Sequence, residues 1–190
     1  MSRAYRIRVR ENLKRLLRAH DRVSTQLELL EILPPEQMAG LLEQELLSRG
    51  FQRKGELLVR QQAGGVTVAV DPASGRVTVQ AEASERVDLQ AEREGRVYDD
   101  AGPHARETKK RLQEELQKAL ARQADEKAAK LQSEVTDKLE AQLSDLRREL
   151  DQAVNRVTAE ALKQKAAQLG QIKQMTEDPQ TGSLTIVLEV

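Results

Sequence analysis

Between Pro103 and Gly170 the chain runs for sixty-six residues without a glycine or a proline. Proline is tolerated in the first turn of a helix and glycine commonly closes one, so the spacing predicts one helical segment over residues 104–169. Glu107/Arg111, Glu114/Lys118, Glu126/Lys130 and Glu134/Lys138 stand four apart with the acid first, the favourable order along a helix. At roughly 1.5 Å per residue such a segment is on the order of 100 Å long if straight. Any fold for this chain has to accommodate that length.

The apolar residues of the segment repeat every eleven positions. Ala124, Val135, Leu146 and Val157 form one series and Ala128, Leu139, Leu150 and Ala161 another, with Leu120 and Leu131 in phase. An eleven-residue repeat is about 3.67 residues per turn, so the row stays on one side of a nearly straight helix and departs from the heptad of a left-handed coiled coil. A helix showing such a row needs a partner, because packing rather than propensity stabilises most helices. Leu131, Val135, Leu139, Leu146, Leu150 and Val157 are therefore the candidate contact residues. The partner is either another part of the chain or another chain, including a homo-oligomer through the long helix.

A turn sequence occurs twice, on either side of the helix: DPASGRVTV at residues 71–79 and DPQTGSLTI at residues 178–186, an offset of 107. The aspartates can accept hydrogen bonds from the turn they open, the prolines pre-set φ, and Gly75 and Gly182 supply a residue with φ > 0. Alternating Val66, Val68, Val70, Val77 and Val79, and likewise Leu184, Ile186, Leu188 and Val190, mark hairpins with one buried face. If both hairpins belong to one sheet, either the helix folds back as a helical hairpin near Ser133–Asp137, or residues 171–190 complete the sheet of another copy.

Upstream, Tyr5, Ile7 and Val9 alternate with Arg6, Arg8 and Arg10, the pattern of a half-buried strand. The continuation reads either as a strand that turns at His20-Asp21 and returns through Val23, Thr25, Leu27 and Leu29, the preferred reading, or as a short basic helix over residues 11–19. Pro34-Pro35 opens a helix through Met38, Leu41, Leu42 and Leu46, with Gly50 as its stop. Strands are expected at Leu57–Gln61, Val66–Val70 and Arg76–Ala83, with a turn at Gly64-Gly65. A last strand pair is expected to turn near Glu94-Gly95. The expected fold is α+β: a small antiparallel sheet with one packed helix in residues 1–102, a long charged helix over 103–170, single or folded back, and a C-terminal hairpin over 171–190 that completes the sheet.

Chemistry is scarce. The chain has no cysteine, which excludes disulfides and thiolate chemistry. Its two histidines, His20 and His104, neighbour no nucleophile, and no phosphate-loop, zinc or calcium spacing is present. Asp99-Asp100 precede a helix, where the dipole favours acids without any metal. No catalytic, cofactor or metal residue is expected, and the protein is read as no enzyme. Residues 1–18 carry seven cations and one anion although the whole chain is formally neutral. Arginines on one strand face could grip phosphates. Stacking would want aromatics beside them, yet the only one there, Tyr5, lies on the opposite face. A solvated face that discourages edge pairing is preferred to nucleic-acid binding. No apolar run approaches a membrane span and the start lacks a signal-peptide stretch, so a cytoplasmic protein is expected.

The start MSRAYRIRVRENLKRLLRAHDRVSTQLELLEILPPEQMAGLLEQELLSRGF, the turn VDPASGRVTV and the close RVTAEALKQKAAQLGQIKQMTEDPQTGSLTIVLEV resemble FtsH ternary system domain proteins. The resemblance covers both ends and the first hairpin turn, about half the chain, and transfers no catalytic residue. It implies a non-enzymatic accessory or adaptor protein of bacterial operons. Its implied partners are an FtsH-like AAA+ ATPase and a von Willebrand factor A-type protein.

Overall fold

A computed structural model describes residues 5–98, 102–177 and 184–189. In order, the elements are β1 (Tyr5–Gln26), α1 (Pro35–Ser48), β2 (Gln52–Lys54), β3 (Leu57–Gln61), a 3-10 turn (Ala63–Gly65), β4 (Val66–Asp71), β5 (Arg76–Val97), α2 (Pro103–Leu169), β6 (Gln171–Glu177) and β7 (Leu184–Glu189). Five strands form one sheet in the order β1-β5-β4-β3-β2, and β6 and β7 form a separate pair. The fold class is the α+β arrangement expected, with the long helix as one uninterrupted element and no fold-back.

Three expectations need correction. β1 is a single strand of 22 residues, without a turn at His20-Asp21 and without a basic helix over residues 11–19. Its alternation simply continues: Val9, Leu17 and Ala19 are buried in the Tyr5 phase while Arg8, Arg10 and Arg18 are exposed. β5 likewise runs for 22 residues through Glu94-Gly95. Gly95 is there for proximity, since a Cβ on it would stand 2.9 Å from Leu112 Cδ1. Finally, β6 and β7 pair with each other and do not join the five-stranded sheet of their own chain. β5, the strand that carries the first copy of the turn, is already flanked by β4 and β1.

The chain divides into two compact units, residues 1–20 with 82–136, and residues 21–81 with 137–190. α2 contributes to both. In the first unit the inward rows of β1 and β5 meet the apolar row of α2. Val9 packs with Leu112 and Leu116, joined by Ile7 and Ala91. Gln113 donates to the Glu11 carboxylate at 3.2 Å and Gln132 Nε2 to the His20 carbonyl at 3.0 Å, fixing strand against helix.

The second unit holds the end of β1, α1, β2 to β4, the start of β5, the C-terminal half of α2 and the β6–β7 hairpin. α1 begins at Pro34-Pro35 as expected and ends at Gly50, whose φ is 85°. The Gly50 N–H reaches the Leu47 carbonyl and the Phe51 N–H the Leu46 carbonyl, the paired bonds of a Schellman cap. β4 and β5 pair Val70 with Val77 and Val68 with Val79, and all four side chains are buried. At the turn between them Gly75 has φ 70°. Asp71 Oδ1 accepts from the Ala73 N–H at 3.0 Å and Asp71 Oδ2 from the Ser74 hydroxyl at 2.6 Å, as the turn chemistry requires. That hydroxyl bond holds the Asp71 carboxyl below its ordinary range. Gly182 lies outside the described residues.

Candidate interaction surfaces

The six residues proposed from periodicity are all in the chain's own core. Leu131 is 9% exposed, and Val135, Leu139, Leu146, Leu150 and Val157 are between 1% and 4%. The eleven-residue row is therefore an intramolecular seam, and these side chains present nothing to a partner. Eleven-residue spacing suits this role because such a row stays on one side of a nearly straight helix.

Four cations of the basic N-terminal strand, Arg8, Arg10, Lys14 and Arg15, are paired in place. The outward phase of β5 carries Asp88, Glu92 and Glu94, and the outward phase of β1 carries Arg8, Arg10 and Lys14. Arg8 reaches Glu92 at 2.8 Å and Glu94 at 2.6 Å, Arg10 reaches Glu92 at 2.5 Å, and Lys14 reaches Asp88 at 3.4 Å. Arg15 meets Asp125 on α2 at 3.0 Å. The hydrogen bond from Arg8 lowers the Glu94 carboxyl below its ordinary range. These are exposed ladders of opposite charge across neighbouring strands, which weighs against a free cationic strip for phosphates. The matching phase of acids on residues 82–94 was the sequence signal that could have revealed the pairing.

Within the second unit, one cationic side chain ties three elements together. Arg60 on β3 makes a two-pronged pair with Glu149 on α2, at 2.7 and 2.6 Å, and also donates to the Arg49 carbonyl just past α1 at 2.9 Å. Its guanidinium lies 4.5 Å from the centre of the Phe51 ring. The bond from Arg60 is the main reason the Glu149 carboxyl sits below its ordinary range, against an opposing effect of burial. Arg49 in turn reaches Glu45 at 2.6 Å. Sequence reasoning did not single out Arg60 or Glu149.

The same unit contains an open groove of about 630 Å³ between the end of β1 and α2. Val23 and Leu27 form one wall, Val77 and Val79 the floor, and Leu146 and Leu150 the other wall, with Glu28, Arg147 and Asp151 at the rim. Val23 is 38% exposed although it shares the inward phase of Leu17, which is 3% exposed. The C-terminal hairpin shows a second unfilled surface. Ile172, Leu184 and Ile186 are only half-covered, and Met175 and Val187 are exposed. Among the described residues, no helix is long and apolar enough to cross a membrane.

Comparison with known proteins bears on these surfaces. The chain matches the FtsH ternary system domain X5 family over residues 1–190, its whole length, and belongs to that family. No curated protein and no solved structure matches it.

Proposed function

We propose, from membership of the FtsH ternary system domain X5 family, that this protein is a non-enzymatic accessory subunit of such a system. It acts by protein–protein contact with an FtsH-like AAA+ ATPase and a von Willebrand factor A-type protein. The observation that supports this reading is the disposition of α2. Its apolar row is consumed in the chain's own core, which leaves charged side chains of the 67-residue helix outward. Glu126, Lys127 and Lys130 are exposed members of that face. A charged surface suits recognition by complementary charge, which governs encounter rate and partner choice more than raw affinity.

The reading is tested by co-expressing the tagged full-length protein with the two operon-encoded proteins and measuring binding to each purified partner. A saturable complex is expected, weakened by charge reversal at Glu126, Lys127 and Lys130 without a change in the melting temperature. No binding to either partner, or binding indifferent to those reversals, would overturn the assignment of α2 as the contact surface. Turnover of a small substrate by the isolated protein would overturn the non-enzymatic role.

A further inference from the structure

The two copies of the turn sequence belong to hairpins with the same register. β4–β5 pairs Val68 with Val79, Ala69 with Thr78 and Val70 with Val77. β6–β7 pairs Met175 with Ile186, Thr176 with Thr185 and Glu177 with Leu184, each exactly matched partner lying 107 positions on. The C-terminal hairpin is thus a second rendering of β4–β5, with a β-irregularity between Ile172 and Gln174 at its base. The two differ in what covers them. Val68, Val70, Val77 and Val79 are at most 3% exposed, whereas no described side chain of β6 or β7 is buried.

A two-stranded hairpin alone in water is marginal, and added strands or a helix under its apolar face are the usual remedy. The first hairpin shows what such a face packs against, since Val77 and Val79 border the groove whose far wall is Leu146 and Leu150 of α2. That groove continues past β5 to the last residues of β1. β1 is an edge strand, so alternate backbone groups there have no neighbour in the sheet. The inward side chain Val23 lies partly bare. None of the residues lining the groove comes from β6 or β7, so the hairpin does not fill the groove of its own chain.

We infer that the β6–β7 hairpin of one copy docks on a second copy of this chain, along the β1 edge at residues 23–26. There it extends the sheet and lays Leu184 and Ile186 into the groove against α2. Alternation puts the exposed Lys173–Glu189 pair, at 2.7 Å, on the face of the hairpin opposite Leu184 and Ile186, so the face laid toward α2 is the apolar one. Strand addition gives main-chain hydrogen bonds for affinity, and the groove selects alternate apolar side chains. The contact is heterologous: a donor hairpin on one copy meets an acceptor groove on the next, closing to a two-fold dimer if both copies donate.

Sedimentation velocity of the full chain from micromolar to near-millimolar concentration tests this. Reversible self-association is expected. Met175→Glu with Ile186→Asp on the donor, or Val23→Asp with Val154→Asp on the acceptor, where Val154 of α2 also lines the groove, should each weaken it at least tenfold while circular dichroism stays native. Mixing the donor variant with the acceptor variant should restore a one-to-one heterodimer, because each mixed pair retains one intact donor and one intact groove. A second variant guards against misfolding: Ile186→Ser should weaken association, whereas Lys173→Glu, on the other face of the hairpin, should leave it unchanged. A monomer throughout the range, or association that both donor and acceptor variants leave unchanged, would overturn the inference. So would failure of the mixture to restore binding with both variants folded. A monomer that still binds the ATPase through the hairpin would assign the hairpin to that partner instead.

Discussion

Disrupting the Arg60–Glu149 pair should cost roughly 2–3 kcal/mol of stability. The figure follows from placement. Exposed ion pairs are worth about 0–1 kcal/mol, and breaking a buried one costs about 3–5 kcal/mol. Here the side chains are 18% and 28% exposed and both prongs are short, so the pair falls between those limits. Glu149→Leu strands the guanidinium beside Phe51 with only the Arg49 carbonyl as partner, whereas Arg60→Met in the same background removes the stranded charge. Urea unfolding of the two single variants and the double variant gives the coupling, expected to be about 1.5–2.5 kcal/mol, since hydrogen bonds to charged groups contribute on that scale. The pH dependence has a definite sign. The folded-state value of Glu149 lies below its ordinary 4.5, so the pair's contribution is complete above about that pH. It is lost as pH falls through the lower, folded-state value. The stability gap between wild type and Glu149→Leu should therefore be constant near neutrality and close in acid. A coupling below about 0.5 kcal/mol, or a gap that persists unchanged into acid, would refute the reasoning that this pair locks β3 to α2.

Two further outcomes follow from the packing. Gly95→Ala should cost about 1 kcal/mol or less, because the built Cβ forces the ends of two side chains to shift, Leu112 Cδ1 at 2.9 Å and Thr108 Cγ2 at 3.3 Å, while removal of an unfavourable strand glycine offsets part of that. Gly95→Leu should overpack that contact and destabilise by about 1–3 kcal/mol, measured by thermal or urea unfolding. Leu139→Asp should unfold the chain and not merely dissociate an oligomer, with a loss of roughly 4–5 kcal/mol or more, because it buries a charge in a fully covered site. Far-UV circular dichroism separates the two effects: a native spectrum with only a change in sedimentation would contradict the intramolecular seam.

Local punctuation made α1, the Gly64-Gly65 turn, the β4–β5 hairpin and both ends of α2 readable, because proline, glycine and aspartate impose conformations on their own neighbours. The readings that went astray depended on distant residues. His20-Asp21 has the chemistry of a turn, yet Asp21 stays in the strand with its carboxylate accepting from the Arg22 N–H at 2.7 Å. Gly95 likewise looks like a turn residue, and only the arrival of Leu112 from α2 explains why it must be small. The eleven-residue row announced a face in need of cover, but periodicity is the same whether the cover comes from the chain's own strands or from another molecule. Arg60 and Glu149 were invisible because neither departs from its local pattern. Their partnership exists only across 89 positions of sequence.

The length of β1 also bears on how the protein comes into being. Arg8 finds Glu94 86 positions later, and Arg15 finds Asp125 110 positions later. At about 5–20 residues per second of synthesis, the first strand leaves the ribosome several seconds before its neighbour exists. During that interval it is a 22-residue β-prone segment with nothing to pair with, the kind of sequence that recruits strangers. Every second residue near its start is an arginine, and like charge on an unpaired strand disfavours edge-to-edge pairing between copies until β5 supplies Glu92 and Glu94.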